Sequence, residues 1–122
     1  MLIKALIVGI GGFFGAIARF GIASISKNWI SNYPVGTLIA NLLGTFILGA
    51  LLFGVFNQKL LTDSYRLLLI VGFCGSLTTM STFALDTVQL NDSGQLLTAL
   101  GYFLITTMGC LSMILLAKAV FT

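Results

Sequence analysis

Four long apolar runs, separated by short polar stretches, set the pattern of this chain. They cover about residues 2–25, 35–56, 67–89 and 96–120. Each is long enough, as a helix rising 1.5 Å per residue, to cross a hydrocarbon layer of about 30 Å. The first connection, Ser26 to Pro34, carries Lys27, Asn28, Ser31 and Asn32. The second, Asn57 to Arg66, carries Gln58, Lys59 and Asp63. In the third, Asp86 closes the span and Asn91, Asp92 and Gly94 follow. The pattern predicts an all-α integral membrane protein, with residues 1–122 forming a single transmembrane domain.

Within the runs, small and polar residues recur at helical spacing. Gly11 pairs with Gly15 and Gly12 with Ala16, while Gly36, Ala40 and Gly44 form a similar face on the second run. Such faces let helix backbones approach closely in lipid. Beside that face Thr37, Asn41, Thr45 and Gly49 repeat at the same interval, a polar line down an otherwise apolar helix. Asn41 is read either as one interhelical hydrogen bond or as part of a lined conduit. In the last run Thr98, Tyr102 and Thr106 share a stripe with Thr107, Gly109 and Ser112 nearby. Those hydroxyls either extend the lining or bond their own preceding turn.

The third run changes character partway along. After Leu67 it is apolar, but Gly72-Phe73-Cys74-Gly75-Ser76-Leu77-Thr78-Thr79-Met80-Ser81-Thr82-Phe83 brings glycines and hydroxyls into mid-span. This composition predicts a broken helix, with the break near 75–79. Irregular backbone at membrane depth is tolerated only where it is buried in protein or lines a cavity, and paired half-helix ends form ion sites in transporters. Met80 and Phe83, three residues apart, share a face of the following half-helix, with Ser81 and Thr82 beside them. Carbonyls exposed by a break suit a cation. Hydroxyls, an amide and aromatic edges suit an anion. A chain using both would separate them, and one four-helix chain is thin for enclosing a pore, so a dimer is expected.

Composition agrees with lipid as solvent. The chain has 58% hydrophobic and 7% charged residues, against about 25% charged in soluble domains. A cleaved leader is a poor account of the first run, because the run passes through Gly11, Gly12 and Gly15 to Arg19 and three more follow. The net charge of +3 is spread too thinly for nucleic acid. Histidine is absent and the carboxylates are Asp63, Asp86 and Asp92. That leaves almost nothing for a zinc site or hydrolytic catalysis, and no enzyme is expected. Cys74 and Cys110 fall inside apolar runs and read as small packing residues. Gly9 to Gly15 fails as a phosphate loop because Phe14 stands where the third glycine is needed. Arg19 either snorkels to an interface or stands at a vestibule and concentrates anions. Four crossings put Lys4, Lys59, Arg66 and Lys118 on one side and Arg19 and Lys27 on the other. That bias is small enough to permit both orientations.

The ordered motifs Gly11 to Arg19, Gly36 to Phe46 and Gly72 to Phe83 resemble the small bacterial fluoride channels of the Fluc/CrcB type over essentially the whole chain. The resemblance implies an antiparallel, dual-topology homodimer in the bacterial inner (plasma) membrane. It implies two pores that passively and selectively export fluoride to relieve its toxicity. It also implies one central structural sodium ion, held by backbone carbonyls that map to Gly75 and Thr78. By the same mapping Asn41, Ser81 and Thr82 line the pore, Met80 and Phe83 stand at the positions of two pore phenylalanines, and Arg19 lies near the vestibule. Tyr102 and Thr106 are weaker carry-overs. Two residues depart from the family pattern: Ser76 stands where a second glycine is frequent, and Met80 replaces an aromatic. A thioether lacks a positive ring edge, so altered throughput with retained selectivity is expected. The rival is a small dual-topology, proton-coupled multidrug exporter. It needs a carboxylate deep in the first helix, and that run has none.

Overall fold

A computed structural model describes residues 1–57, 59 and 62–122. Gln58 of the second connection lies outside the described residues. Helix α1 covers Leu2–Ser26 and α2 covers Val35–Ala50, and α2 runs on into a wider π-helical stretch, π1, at Leu51–Phe56. The third span comprises α3 (Asp63–Arg66), π2 (Leu67–Cys74), α4 (Gly75–Leu77) and α5 (Met80–Asp92), and α6 covers Leu96–Phe121. No strand occurs among the described residues. Among the described residues, four helical stretches are long and apolar enough to cross a membrane: Leu2–Ser26, Val35–Val55, Asp63–Asp92 and Leu96–Phe121.

The third span is longer at both ends than its apolar run. Asp63 already lies in a helical first turn, where a negative charge is favoured by the helix dipole. At the other end Asp86 does not stop the helix, which continues to Asp92. The chain turns only at Gly94, whose φ of 81° lies in the left-handed region that glycine occupies without strain.

Close backbone approach docks α1 onto this span. A Cβ on Gly11 would collide with the Leu68 carbonyl and one on Gly15 with the Phe73 carbonyl; from the facing side, a Cβ on Gly72 would stand 2.6 Å from the Val8 carbonyl. With lipid as solvent, such van der Waals contact is what holds the helices together. Helix α1 also borders α2, α2 lies along α6, and α6 packs on α5. Phe83, Leu90, Ala99 and Tyr102 form the buried cluster joining α5 to α6, with Tyr33 and Leu38 against it. Ile10, Phe13, Ile17 and Phe20 on α1 and Leu97, Leu104, Met108 and Leu115 on α6 are exposed. In a bilayer that exposure is solvation by acyl chains, and it carries no penalty.

Candidate ion pathway around Thr78 and Thr79

Between α4 and α5 the backbone leaves helical geometry for two residues. Thr78 has φ −84° and ψ 154°, and Thr79 has φ −151° and ψ 120°. The local chemistry favours this. Threonine is β-branched and its hydroxyl competes with helical hydrogen bonding. Thr78 Oγ1 donates back to the Cys74 carbonyl at 2.9 Å. Thr79 Oγ1 caps α5 by accepting the Thr82 N–H at 3.2 Å, and it also donates to Thr82 Oγ1 at 3.2 Å. The helical stretch through Gly75–Leu77 is therefore intact, and the extended residues are Thr78 and Thr79.

Two side chains from other helices brace this link. Asn41 of α2 accepts the Thr79 N–H at 2.7 Å through Oδ1 and donates Nδ2–H to the Thr79 carbonyl at 3.2 Å. Arg19 of α1 is half-buried and donates Nε–H to the Ser76 carbonyl at 3.0 Å. Its guanidinium is thus held against the third span and does not line the cavity described below.

The Cys74 carbonyl accepts from Thr78 N–H at 3.1 Å as well as from its hydroxyl. Ser76 has Arg19, and Thr79 has Asn41. In a continuous helix the Thr79 N–H would close on Gly75 and the Thr82 N–H on Thr78. Here those two donors go to Asn41 Oδ1 and Thr79 Oγ1. The Gly75, Leu77 and Thr78 carbonyls therefore lose their helical donors and, among the described residues, accept no side-chain hydrogen bond. Uncharged carbonyl oxygens are hard ligands suited to a hard cation. No group of three His, Cys, Asp or Glu side chains that could hold a metal occurs among the described residues. A cation at this place would be held by backbone.

Beside the link lies a cavity of about 500 Å³ between α2, α5 and α6. Asn41, Thr78, Met80, Phe83 and Thr106 line it, as do Thr79, Thr107 and Cys110. Thr106 is only 5% exposed, and its Oγ1 is buried without a hydrogen-bond partner. Leaving a buried hydroxyl unpaired costs about 1–3 kcal/mol. Met80 is 75% exposed on the same rim. Ser81 is exposed with its Oγ 3.2 Å from Thr79 Oγ1, and Thr82 is half-buried behind it. Tyr102 is fully buried: its ring meets Phe83 at 5.3 Å and Tyr33 at 5.7 Å, and its hydroxyl donates to Asp86 Oδ2 at 3.1 Å. Tyr33 lies in the first connection, and burial raises its phenol pKa above the ordinary value.

Three contributors escape a reading of the sequence alone. Thr79 looks like one more hydroxyl, yet its backbone is the target of Asn41. Cys110 reads as packing, although it follows Thr106 by four residues and so extends the same stripe into the cavity. Asp86 reads as the end of a span, and in the fold it holds the Tyr102 hydroxyl.

These features define a class: a small multi-pass membrane protein with a polar, carbonyl- and hydroxyl-bearing interruption facing a mid-span cavity. Residues 6–118 match the family model described as CrcB-like protein, Camphor Resistance (CrcB), and the chain belongs to that family. Among its relatives is the "Fluoride-specific ion channel FluC" of Methanocaldococcus jannaschii, 45% identical, with 99% of each chain covered. A protein of the same name from Pseudomonas putida is 39% identical over 99% of this chain and 95% of its own. Another, from Francisella tularensis subsp. tularensis, is 35% identical over 91% and 88%.

Proposed function

We propose that this chain is a fluoride-selective ion channel that lets fluoride leave the cytoplasm down its gradient. The observation that carries the reading is the unpartnered Thr106 hydroxyl in a mid-span cavity shared with Asn41, Met80 and Phe83. Fluoride is a small, strongly accepting anion. Neutral donors in series can replace part of its water, while the cavity wall holds no fixed cation that would trap it. The full-length relatives named as fluoride-specific channels support the choice of ion.

The finer features of the proposal are these. Residues 1–122 act as one transmembrane channel domain of a plasma-membrane protein, with the Thr78–Thr79 link as a break within the third span. The working unit is an antiparallel homodimer with two pores. Support for a second copy is that Met80 and Ser81 are exposed at mid-span, which leaves the wall of the cavity open on one side. Asn41, Met80, Ser81, Thr82, Phe83, Tyr102 and Thr106 form the path, with Arg19 nearer its mouth. A structural sodium ion at the dimer centre fits the Gly75 and Thr78 carbonyls, which are among those that have lost their helical donors. The proton-coupled exporter is not favoured: α1 carries no Asp or Glu to trade protons.

Proteoliposomes loaded with fluoride provide the test. With a potassium ionophore to balance charge, fluoride release through the protein is expected on an ion-selective electrode, with no comparable chloride release. Matching chloride efflux, or proton-driven uptake of a cationic drug without fluoride flux, sinks the proposal.

A further inference from the structure

We infer that Asn41 is a positioning residue for the cation-binding carbonyls, and that its amide keeps the Gly75 carbonyl available. The inference rests on the cation reading above.

The two diverted donors differ in origin. Thr82 N–H is taken by a residue three positions away, as in any capped helix. Thr79 N–H is taken by Asn41, 38 residues distant and on another helix. Without Asn41 the residue four positions before Thr79 is Gly75, and its carbonyl is the acceptor that continued α-helix would offer. Closing that bond would extend α4 by one residue and remove the Gly75 oxygen from a cation. At membrane depth a released N–H has few other partners, which favours closing on the Gly75 carbonyl.

Asparagine suits the task because one side chain both accepts from and donates to the same peptide residue, as a neighbouring strand would. Oδ1 takes the Thr79 N–H and one Nδ2–H takes the Thr79 carbonyl. Asn41 is only 7% exposed, so these bonds form in a largely buried place. One amide proton is left over, and Asn41 also lines the cavity. The same side chain therefore stands between the carbonyls proposed for a cation and the wall proposed for an anion. Arg19 acts in parallel by claiming the Ser76 carbonyl, which leaves the Gly75, Leu77 and Thr78 carbonyls unclaimed.

The test is thermal unfolding of the purified protein as sodium replaces choline at constant ionic strength. Wild type is expected to gain stability with a defined sodium midpoint. Asn41→Leu keeps the approximate shape but has no acceptor, and its midpoint is expected at least ten-fold higher. Asn41→Asp keeps an oxygen for the Thr79 N–H, and its midpoint is expected at or below that of wild type. A purely structural role for Asn41 would lower stability equally in sodium and choline. An unchanged midpoint in Asn41→Leu, or a ten-fold rise in Asn41→Asp, overturns the inference. If Asn41→Leu yields no folded protein, the midpoint of Asn41→Asp decides alone. Should wild type itself show no preference for sodium over choline, it is the cation reading that fails.

Discussion

The link at Gly75–Thr79 and the wall formed by Met80, Phe83 and Thr106 are neighbours, but they handle polar groups in opposite ways. At the link the polar side chains are engaged, while the Gly75, Leu77 and Thr78 carbonyls stay open. Thr78 bonds Cys74, Thr79 caps α5, Asn41 grips Thr79 and Arg19 holds Ser76. At the wall the Thr106 hydroxyl has no partner and Met80 stands largely exposed. Side chains with their hydrogen bonds made rigidify the link, whereas a buried hydroxyl left unpaired has bonding capacity to spare. Under the proposed function, the side chains at the link are scaffold and those at the wall meet the anion. This division also explains why the arginine and the asparagine, the most conspicuous polar residues of the first two spans, both reach toward the link.

The largest expected effect that would break this comparison comes from Arg19. Arg19→Leu leaves the Ser76 carbonyl without its donor at membrane depth, and a loss of about 2 kcal/mol in stability is expected. Thermal unfolding in detergent measures it. A variant as stable as wild type, with only its fluoride flux reduced, would move Arg19 from the scaffold to the path. Next comes Thr106→Val, which removes the orphan hydroxyl with little change in shape. Fluoride flux in proteoliposomes is expected to fall about ten-fold, equivalent to about 1.4 kcal/mol. Stability should hold or rise slightly, because an unpaired buried hydroxyl is gone. A loss of stability with unchanged flux would reverse the assignment of that wall. The smallest effect is expected from Met80→Phe. Restoring an aromatic with its positive ring edge should change fluoride throughput by a few-fold while discrimination against chloride is kept. Equal rates, or lost discrimination, would remove Met80 from the path.

How legible these two regions are from sequence differs in the same way. The wall announces itself locally: Met80 and Phe83 are three apart, and Tyr102 and Thr106 four apart, so helical period alone puts each pair on one face. The division of labour at the link does not. Arg19 reads as snorkelling to an interface or as a vestibule charge, and Asn41 as one interhelical hydrogen bond or as part of a lined conduit. Their actual partners are backbone groups 57 and 38 residues away.

What the sequence by itself determined is the solvent and the element plan: four spans, because apolar runs of that length have no other low-energy state in lipid. It also determined the close docking of α1, since only glycine at positions 11, 15 and 72 lets those backbones meet. Only the tertiary structure decided which polar groups would be spent on the fold and which left over. That choice depends on the relative rotation and depth of α1, α2, α5 and α6. A helical period fixes the faces of each helix, but it does not fix which donor on one helix stands level with which carbonyl on another.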